Sequence, residues 1–467
     1  MLFNSSLFLV FLPVVVILYY IVAPKYRWIL LLISSYFFYM CWKSEFALLI
    51  LLSTVVDYIV GRKIYASTTK KEKRLYLYVS LLVNLGLLFS FKYLDFFIGN
   101  LNAFFDAITL DLQIPYMKLL LPVGISFYTF QTLSYTLDIY YGRLKPENHF
   151  GKFAVFVSFW PQLVAGPIER ASHLLPELNK KVQLSYDNFV WGASKITYGF
   201  FKKVVIADRL SIYVNSVYSD LPNTSSFGVL IASFFFAFQI YCDFSGYSDI
   251  AIGSARLMGI DLMENFKRPY LAKSFSDFWN RWHISLSSWF RDYCYIPLGG
   301  NRVVKWRWYY NLVVTFLISG FWHGSNWTFV IWGALHGVFL ILENSMKSTS
   351  FSFIKIFRKL TRLRVIIVFL MVCIAWVFFR ANNLDDALLI FNKILHFDGD
   401  FSLTKLCAYK GPLNLVLSFA AIGLLFLSYH IRMDLKIKRH ELFIIVALVI
   451  IFFLGKNGDA EFIYFQF

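Results

Sequence analysis

Apolar runs of membrane-crossing length recur from one end of this chain to the other, and that recurrence limits what it can fold into. A helical crossing needs about 20 predominantly apolar residues, fewer where neighbours shield its ends. Runs of this kind cover roughly residues 7–23, 28–42, 46–60, 75–98, 119–141, 189–206, 227–242, 309–322, 327–342, 365–379, 413–429 and 442–454. Residues 153–168 and 245–258 are interrupted by Pro161, Gly166 and Pro167 or by Gly246 and Gly253, which predicts re-entrant or interfacial pieces. The fold class that follows is all-α and polytopic, with about eleven or twelve transmembrane helices plus those pieces. Composition agrees: 58% of the 467 residues are hydrophobic, 16% are charged and the mean hydropathy is +0.59, which excludes a soluble enzyme.

The formal net charge of +17 anchors loops on the cytoplasmic face rather than contacting nucleic acid. Arg62, Lys63, Lys70, Lys71, Lys73 and Arg74 crowd one connection, whereas residues 99–116 hold no Lys or Arg and contain Asp106 and Asp111. The first connection is therefore predicted inside and the second outside. The same count puts both chain ends outside, with Lys355, Arg358, Lys359, Arg362 and Arg364 inside, and then Arg432, Lys436, Lys438 and Arg439. Residues 143–209 do not obey it, because Lys202 and Lys203 sit beside a span that should exit outward. Met1-Leu2-Phe3-Asn4 carries no positive charge ahead of its apolar run, so the first span is expected to be retained rather than cleaved as a signal.

Cys41, Cys242, Cys294, Cys373 and Cys407 show no C-x-x-C pairing and read as small buried hydrophobes, not as disulfides or a zinc site. No repeat relates the two halves, which counts against an inverted-repeat transporter. A single membrane domain over 1–467, with no appended soluble domain, is the expected organisation. Its unusual residues concentrate in 239–337. The polar connection 256–308 alone carries nine Lys/Arg against four Asp/Glu.

Two stretches there hold three of the eight histidines. One is Phe278-Trp279-Asn280-Arg281-Trp282-His283-Ile284-Ser285; the other is Gly320-Phe321-Trp322-His323-Gly324-Ser325-Asn326-Trp327, followed by His336. An ionisable ring inside an apolar span is costly and faces the protein interior or a watery cavity. His323 reads either as a hydrogen-bonded packing residue or as a general base, since a buried neutral imidazole can take a proton from a hydroxyl attacking an acyl carbonyl. The aromatic and basic residues around His283 read either as an interfacial belt or as a holder for a phosphorylated donor. His336 lies about 20 Å from His323 along an unbroken helix, so it is predicted to be structural. Asp243, in Gln239-Ile240-Tyr241-Cys242-Asp243-Phe244-Ser245-Gly246, reads as packing or capping in preference to cavity lining. No H-E-x-x-H, G-x-x-x-x-G-K-[ST] or G-x-S-x-G occurs, and no carboxylate cluster suits a metal, so no metal is expected.

These residues resemble the membrane-bound O-acyltransferase family, in its bacterial alginate O-acetylase-like branch. The resemblance rests on Asn265-Phe266-Lys267-Arg268-Pro269-Tyr270, on Phe278-Trp279 with Arg281-Trp282-His283, and on Trp289-Phe290-Arg291-Asp292-Tyr293. It also rests on Pro297-Leu298-Gly299-Gly300-Asn301-Arg302, on Phe321-Trp322-His323-Gly324 and on Pro161-Gln162-Leu163-Val164-Ala165-Gly166-Pro167. It implies helices around a central tunnel, an essential histidine at His323, and His283 lining the inner part of the tunnel. It further implies acetyl-CoA as donor, a hydroxyl of an extracytoplasmic polysaccharide as acceptor, and a separate esterase-like acetyltransferase or polysaccharide-synthesis partner. The place it implies is the bacterial cytoplasmic (inner) membrane, in contact with membrane lipid. Peptidoglycan O-acetylation and teichoic acid D-alanylation are the alternatives within the family, and a solute transporter is the alternative outside it. Coenzyme A carries roughly four charges, each costing at least about 2.5 to 3.5 kcal/mol at the bilayer centre, so only the acyl group should cross. Arg281, Arg291 and Arg302 are candidates to hold the donor's phosphates, and Trp322 and Asn326 are candidates to stabilise the tetrahedral oxyanion.

Overall fold

The computed structural model describes residues 1–347, 360–397, 399, 411–430, 437–456 and 462–463. Cys407 and the basic residues Lys355, Arg358, Lys359, Arg432 and Lys436 lie outside them. Among the described residues the chain is helical and contains no strand. Five helical stretches are long and apolar enough to cross a membrane: Ser44–Ala66, Lys70–Ala107, Ser226–Leu257, Trp327–Met346 and Thr361–Arg380. Three shorter apolar helices, Ser6–Ile21, Pro412–Ser428 and His440–Leu454, add to them. Other apolar runs fold into helices below that length, such as the 14-residue Arg27–Met40. Cys242 is buried, but Cys41 is exposed, since it terminates that helix at the surface. The chain forms two compact units, Met1–Phe189 with Ser254–Met263 and Val190–Gly253 with Glu264–Phe467.

The first unit carries α1 (Ser6–Ile21), α2 (Arg27–Met40), α3 (Ala47–Ala66), α4 (Lys70–Leu88), α5 (Leu94–Ala107), α6 (Ile125–Tyr140), α7 (Phe150–Ser158), α8 (Trp160–Leu163) and α9 (Ala171–Asn179). A polar knot joins α3, α4 and α6. The buried Asp57 carboxylate accepts from Ser80 Oγ at 2.5 Å and Asn84 Nδ2 at 2.9 Å, and Thr132 Oγ1 donates to Asn84 Oδ1 at 3.3 Å. Polar side chains in an apolar interior persist only where they satisfy one another in this way. Residues 153–168 are discontinuous, as their prolines and glycine predict, and the break falls at Phe159 between α7 and α8. The backbone groups freed there find side-chain partners. Gln131 and Gln162 donate to the Phe156 carbonyl at 2.5 and 3.0 Å, and Ser35 Oγ accepts from Trp160 N at 3.1 Å.

From Tyr186 onward the helices are α10 (Tyr186–Phe200), α11 (Asp208–Tyr218), α12 (Ser226–Leu257), α13 (Phe275–Trp279), α14 (Ile284–Phe290), α15 (Lys305–His323), α16 (Trp327–Lys347), α17 (Thr361–Arg380), α18 (Leu384–Leu395), α19 (Pro412–Ser428) and α20 (Ile437–Leu454). Two sequence expectations change here. Gly246 and Gly253 do not break the chain: α12 runs through both as one 32-residue helix. They serve packing instead. A Cβ on Gly246 would stand 2.8 Å from the Gly199 carbonyl oxygen, and one on Gly253 2.6 Å from that of Gly192, so α10 and α12 meet backbone to backbone.

The second change concerns Lys202 and Lys203, which are buried and not loop anchors. They sit in a π-helical segment, Phe201–Ala207, between α10 and α11. Lys202 Nζ lies 2.5 Å from Asp249 and 2.9 Å from Ser245 Oγ; Lys203 Nζ lies 2.6 Å from Asp243 and 2.9 Å from Asp208. The widened turn lets neighbouring lysines both reach carboxylates. Each buried cation thereby meets a buried anion, which is why the positive-inside count failed on this stretch.

Gly199→Ala should lower the midpoint of heat unfolding in detergent, reflecting about 1 to 3 kcal/mol of overpacking. Gly423→Ala, whose added methyl meets nothing within 4 Å, should not lower it.

Candidate functional site

The second unit concentrates the unusual residues. α15 ends at His323, the chain turns through Gly324, Ser325 and Asn326, and α16 returns antiparallel against it. Small residues make the return tight: a Cβ on Gly320 would stand 2.2 Å from the Phe329 carbonyl oxygen, and one on Gly333 the same distance from that of Phe316. Asn326 caps the second helix by accepting from Thr328 N at 3.1 Å and donates to the Asn382 carbonyl at 2.8 Å. Those bonds give Asn326 a structural post and do not bring it to either imidazole.

The reversal overturns one expectation. His336 is not remote from His323, because the two lie on neighbouring helices and not along one. Each ring centroid is 4.9 Å from that of Trp332, so the histidines stand within 9.8 Å (twice 4.9 Å) of one another. His336 is fully buried among Trp279, Trp332 and Phe278, and among the described residues neither of its nitrogens has a hydrogen-bond partner.

His283 and His323 come together, with ring centroids 6.4 Å apart. Forty residues of chain separate them, and two devices close the gap. The first is strain: His283 adopts φ 42° and ψ 56°, in the left-handed region that non-glycine residues rarely occupy. The second holds that strain in place. The Asn265 carbonyl accepts from Ile284 N at 3.0 Å, and its side chain accepts from Ser285 N and Oγ at 3.2 and 2.8 Å. Asn265 is a residue whose clamp role was missed; its signal was an amide among the buried apolar positions of the 265–270 motif.

The chamber around the two rings is aromatic. Phe244 and Phe266 stand 4.6 and 6.4 Å from His283, Trp332 and Phe379 stand 4.9 and 5.4 Å from His323, and Trp322 approaches His323 at 5.0 Å and His283 at 6.2 Å. Trp322 is thus beside both imidazoles, as an oxyanion donor must be. Burial disfavours the imidazolium and pushes His283 down to about 3, so near neutral pH this ring is uncharged and is suited to hydrogen bonding.

A cavity of about 420 Å³ lies against the same segments. Its walls include Ile284, which follows His283, and Ser319, one turn before His323. Trp279 and Phe316 wall it as well, and their rings touch His336. Neither His283 nor His323 is itself among the walls, so access from this cavity to the pair takes a displacement of the intervening side chains. Of the arginines singled out from sequence, Arg291 lines the cavity with its Nε paired to Asp292 at 2.8 Å, Arg281 is held by Asp277 at 2.7 Å outside the cavity walls, and Arg302 is exposed away from it. Asp243 does not face the imidazoles. One oxygen pairs with Lys203 and the other accepts from Ile463 N at 2.7 Å. Its neighbour Phe244 touches His283, so the ion pair fixes the helix face that forms one chamber wall.

The comparisons with known proteins bear on the same region. Residues 148–384, which contain every residue of this site, match the MBOAT, membrane-bound O-acyltransferase, family model. The chain is 40% identical over 410 residues to "Probable alginate O-acetylase AlgI" of Pseudomonas aeruginosa, covering 87% of this chain and 77% of the relative. It is 39% identical over 410 residues to the protein of the same description from Azotobacter vinelandii, covering 87% and 80%. To "Peptidoglycan O-acetyltransferase" of Helicobacter pylori it is 37% identical over 431 residues, covering 85% and 80%.

Lys203→Ala strands the Asp243 and Asp208 carboxylates in a buried setting and should destabilise the protein by about 3 to 5 kcal/mol, read as a lower unfolding midpoint. Combining Lys203→Met with Asp243→Asn and Asp208→Asn, which removes all three charges, should restore most of that loss. The KM for acyl donor should stay unchanged in the triple variant, because this ion cluster supports a wall and lies away from the cavity.

Proposed function

The chain belongs to the membrane-bound O-acyltransferase family and is an integral-membrane acyltransferase, and from that premise we propose that it moves acetyl from cytosolic acetyl-CoA toward hydroxyls of an extracytoplasmic polysaccharide of the alginate type. The observation that carries this reading is the buried His283–His323 pair, 6.4 Å apart, beside a cavity of about 420 Å³. His323 takes the proton of the attacking hydroxyl as the oxygen bonds the thioester carbon; the carbon–sulfur bond then breaks and the proton passes to the departing thiolate. His283, neutral, hydrogen-bonds the carbonyl oxygen as charge gathers there, and a dry aromatic chamber strengthens that interaction. The donor's arm enters the cavity with Arg291 at its phosphates, which spares the charged part of the donor a passage through lipid. Trp279, Phe316 and Trp322 are the rings that shift to admit it.

Support for the alginate-type acceptor comes from the AlgI relatives, and support for a peptidoglycan acceptor, the second reading, from the Helicobacter pylori relative at nearly the same identity. The inner membrane and an extracytoplasmic esterase-like partner that receives the acetyl belong to the same proposal. Acetyl analysis of surface glycan and of peptidoglycan, with and without this protein, separates the two acceptors.

His323→Ala should reduce acetyl transfer from labelled acetyl-CoA in membranes by about 10²- to 10⁴-fold at normal abundance; wild-type rates would remove it from the mechanism. Arg291→Gln should raise the donor KM about tenfold with kcat little changed, whereas Arg302→Gln should leave both alone.

A further inference from the structure

Outside the acyl-transfer site, the first unit presents a surface built for an amphiphile. At the C-terminal end of α3 a groove of about 570 Å³ is lined by Tyr58, Ile59, Arg62, Lys63, Lys145 and Asn148, among others. Its lining contains three cations and no acid. Among the described residues none of the three cations forms an ion pair. The nearby Glu147 carboxylate is turned to its own loop, accepting from His149 N at 2.9 Å. Arg62 is oriented, not free to wander. Its Nη1 donates to Tyr58 Oη at 2.9 Å, its guanidinium lies 5.5 Å from the Tyr58 ring centroid, and Tyr58 Oη donates to the Asn148 carbonyl at 2.5 Å.

The same helix supplies the apolar half. Leu48, Leu52 and Ile59 are 67%, 45% and 50% exposed. Spacings of four and seven place them on one face of α3, and Arg62 and Lys63 continue that face three and four residues beyond Ile59. From Leu52 to Arg62 the helix rises about 15 Å, which matches the hydrocarbon depth of one leaflet. Basic pockets at the cytoplasmic end of a transmembrane helix recognise anionic headgroups, and here the apolar strip extends from that pocket by one acyl-chain length.

We propose that this groove binds one anionic phospholipid, its phosphodiester held by Arg62, Lys63 and Lys145 and an acyl chain laid along Leu52 and Ile59. The site is independent of the imidazole pair and stands whether or not the acceptor assignment does.

Full-length protein in zwitterionic detergent-lipid micelles is titrated with dioleoyl phosphatidylglycerol, and the unfolding midpoint and lipid retained in native mass spectrometry are read together. The wild type should be stabilised and should retain one more phosphatidylglycerol than Arg62→Gln/Lys63→Gln/Lys145→Gln. Each lost cation should weaken binding about fivefold. Phosphatidylcholine, glycerol phosphate and inorganic phosphate should each fail to reproduce the effect. Lys145→Gln alone, a change on an exposed loop, should give an intermediate loss in a protein that folds normally. Lys70→Gln/Lys71→Gln removes exposed charge outside the groove and should keep the bound lipid. Equal protection of the triple variant, equal protection by phosphatidylcholine or by inorganic phosphate, or equal loss in the Lys70/Lys71 control would each overturn the site.

Discussion

Inside lipid a buried charge or backbone dipole has no water to fall back on, and the architecture of this protein follows from meeting that requirement from within. The clearest instance is the set of lysines and aspartates between the π-helical segment Phe201–Ala207 and α12. Lys202 pairs with Asp249, and Lys203 with Asp243 and Asp208. Removing Lys203 strands two carboxylates and removing Asp249 strands Lys202, so the charges lock the rotation of α12 relative to its neighbour. The glycine contacts between α10 and α12 bring the backbones close enough for those short side-chain reaches. Rotation and approach together decide where Phe244 points, and Phe244 forms a wall against His283.

A second consequence is that strain can be kept where chemistry needs it. His283 holds a left-handed backbone that costs of order 1 to 3 kcal/mol, and it persists because Asn265 takes three hydrogen bonds from the residues that follow. The break at Phe159 in the first unit is met in the same way: glutamine side chains and Ser35 close the gap that a discontinuous helix opens. Irregular backbone occurs in both places where protein, not lipid, surrounds it.

Much of the plan was legible from residue order. Apolar recurrence announced an all-helical membrane protein, and the prolines of 153–168 announced a break. The family resemblance put His283 and His323 along one tunnel, and the structure brings their rings to 6.4 Å. Four features escaped for physical reasons. Helical rise alone placed His336 far from His323, because Gly324 does not say that the following helix doubles back. Gly246 and Gly253 looked like breaks because a glycine that permits a turn and one that permits a close crossing are the same residue in sequence. Lys202 and Lys203 defied the charge rule because that rule counts loop cations, and nothing local to them reveals carboxylates some forty residues away on α12. The clamp by Asn265 was hidden for the same reason: its targets are remote in sequence and adjacent only in the fold.

The dryness of the chamber bears on the direction of chemistry. Acyl transfer from a thioester to an alcohol competes with hydrolysis by water at the same carbon, and in bulk solvent water outnumbers any sugar hydroxyl. In the proposed reaction, an imidazole pair enclosed by Phe244, Phe266, Trp322, Trp332 and Phe379 excludes the competitor until an acceptor enters. The same walls keep His283 neutral, so no standing charge has to be neutralised as the oxyanion forms, and hydrogen bonds in a low dielectric stabilise it more than they would in water. A charged site open to solvent would bind donor phosphates more readily yet lose acetyl to water. In the proposed reaction, Arg291 at the cavity and the imidazoles behind a screen of indoles separate those two tasks, and that separation would let a charged donor on one side of a membrane serve a hydroxyl on the other.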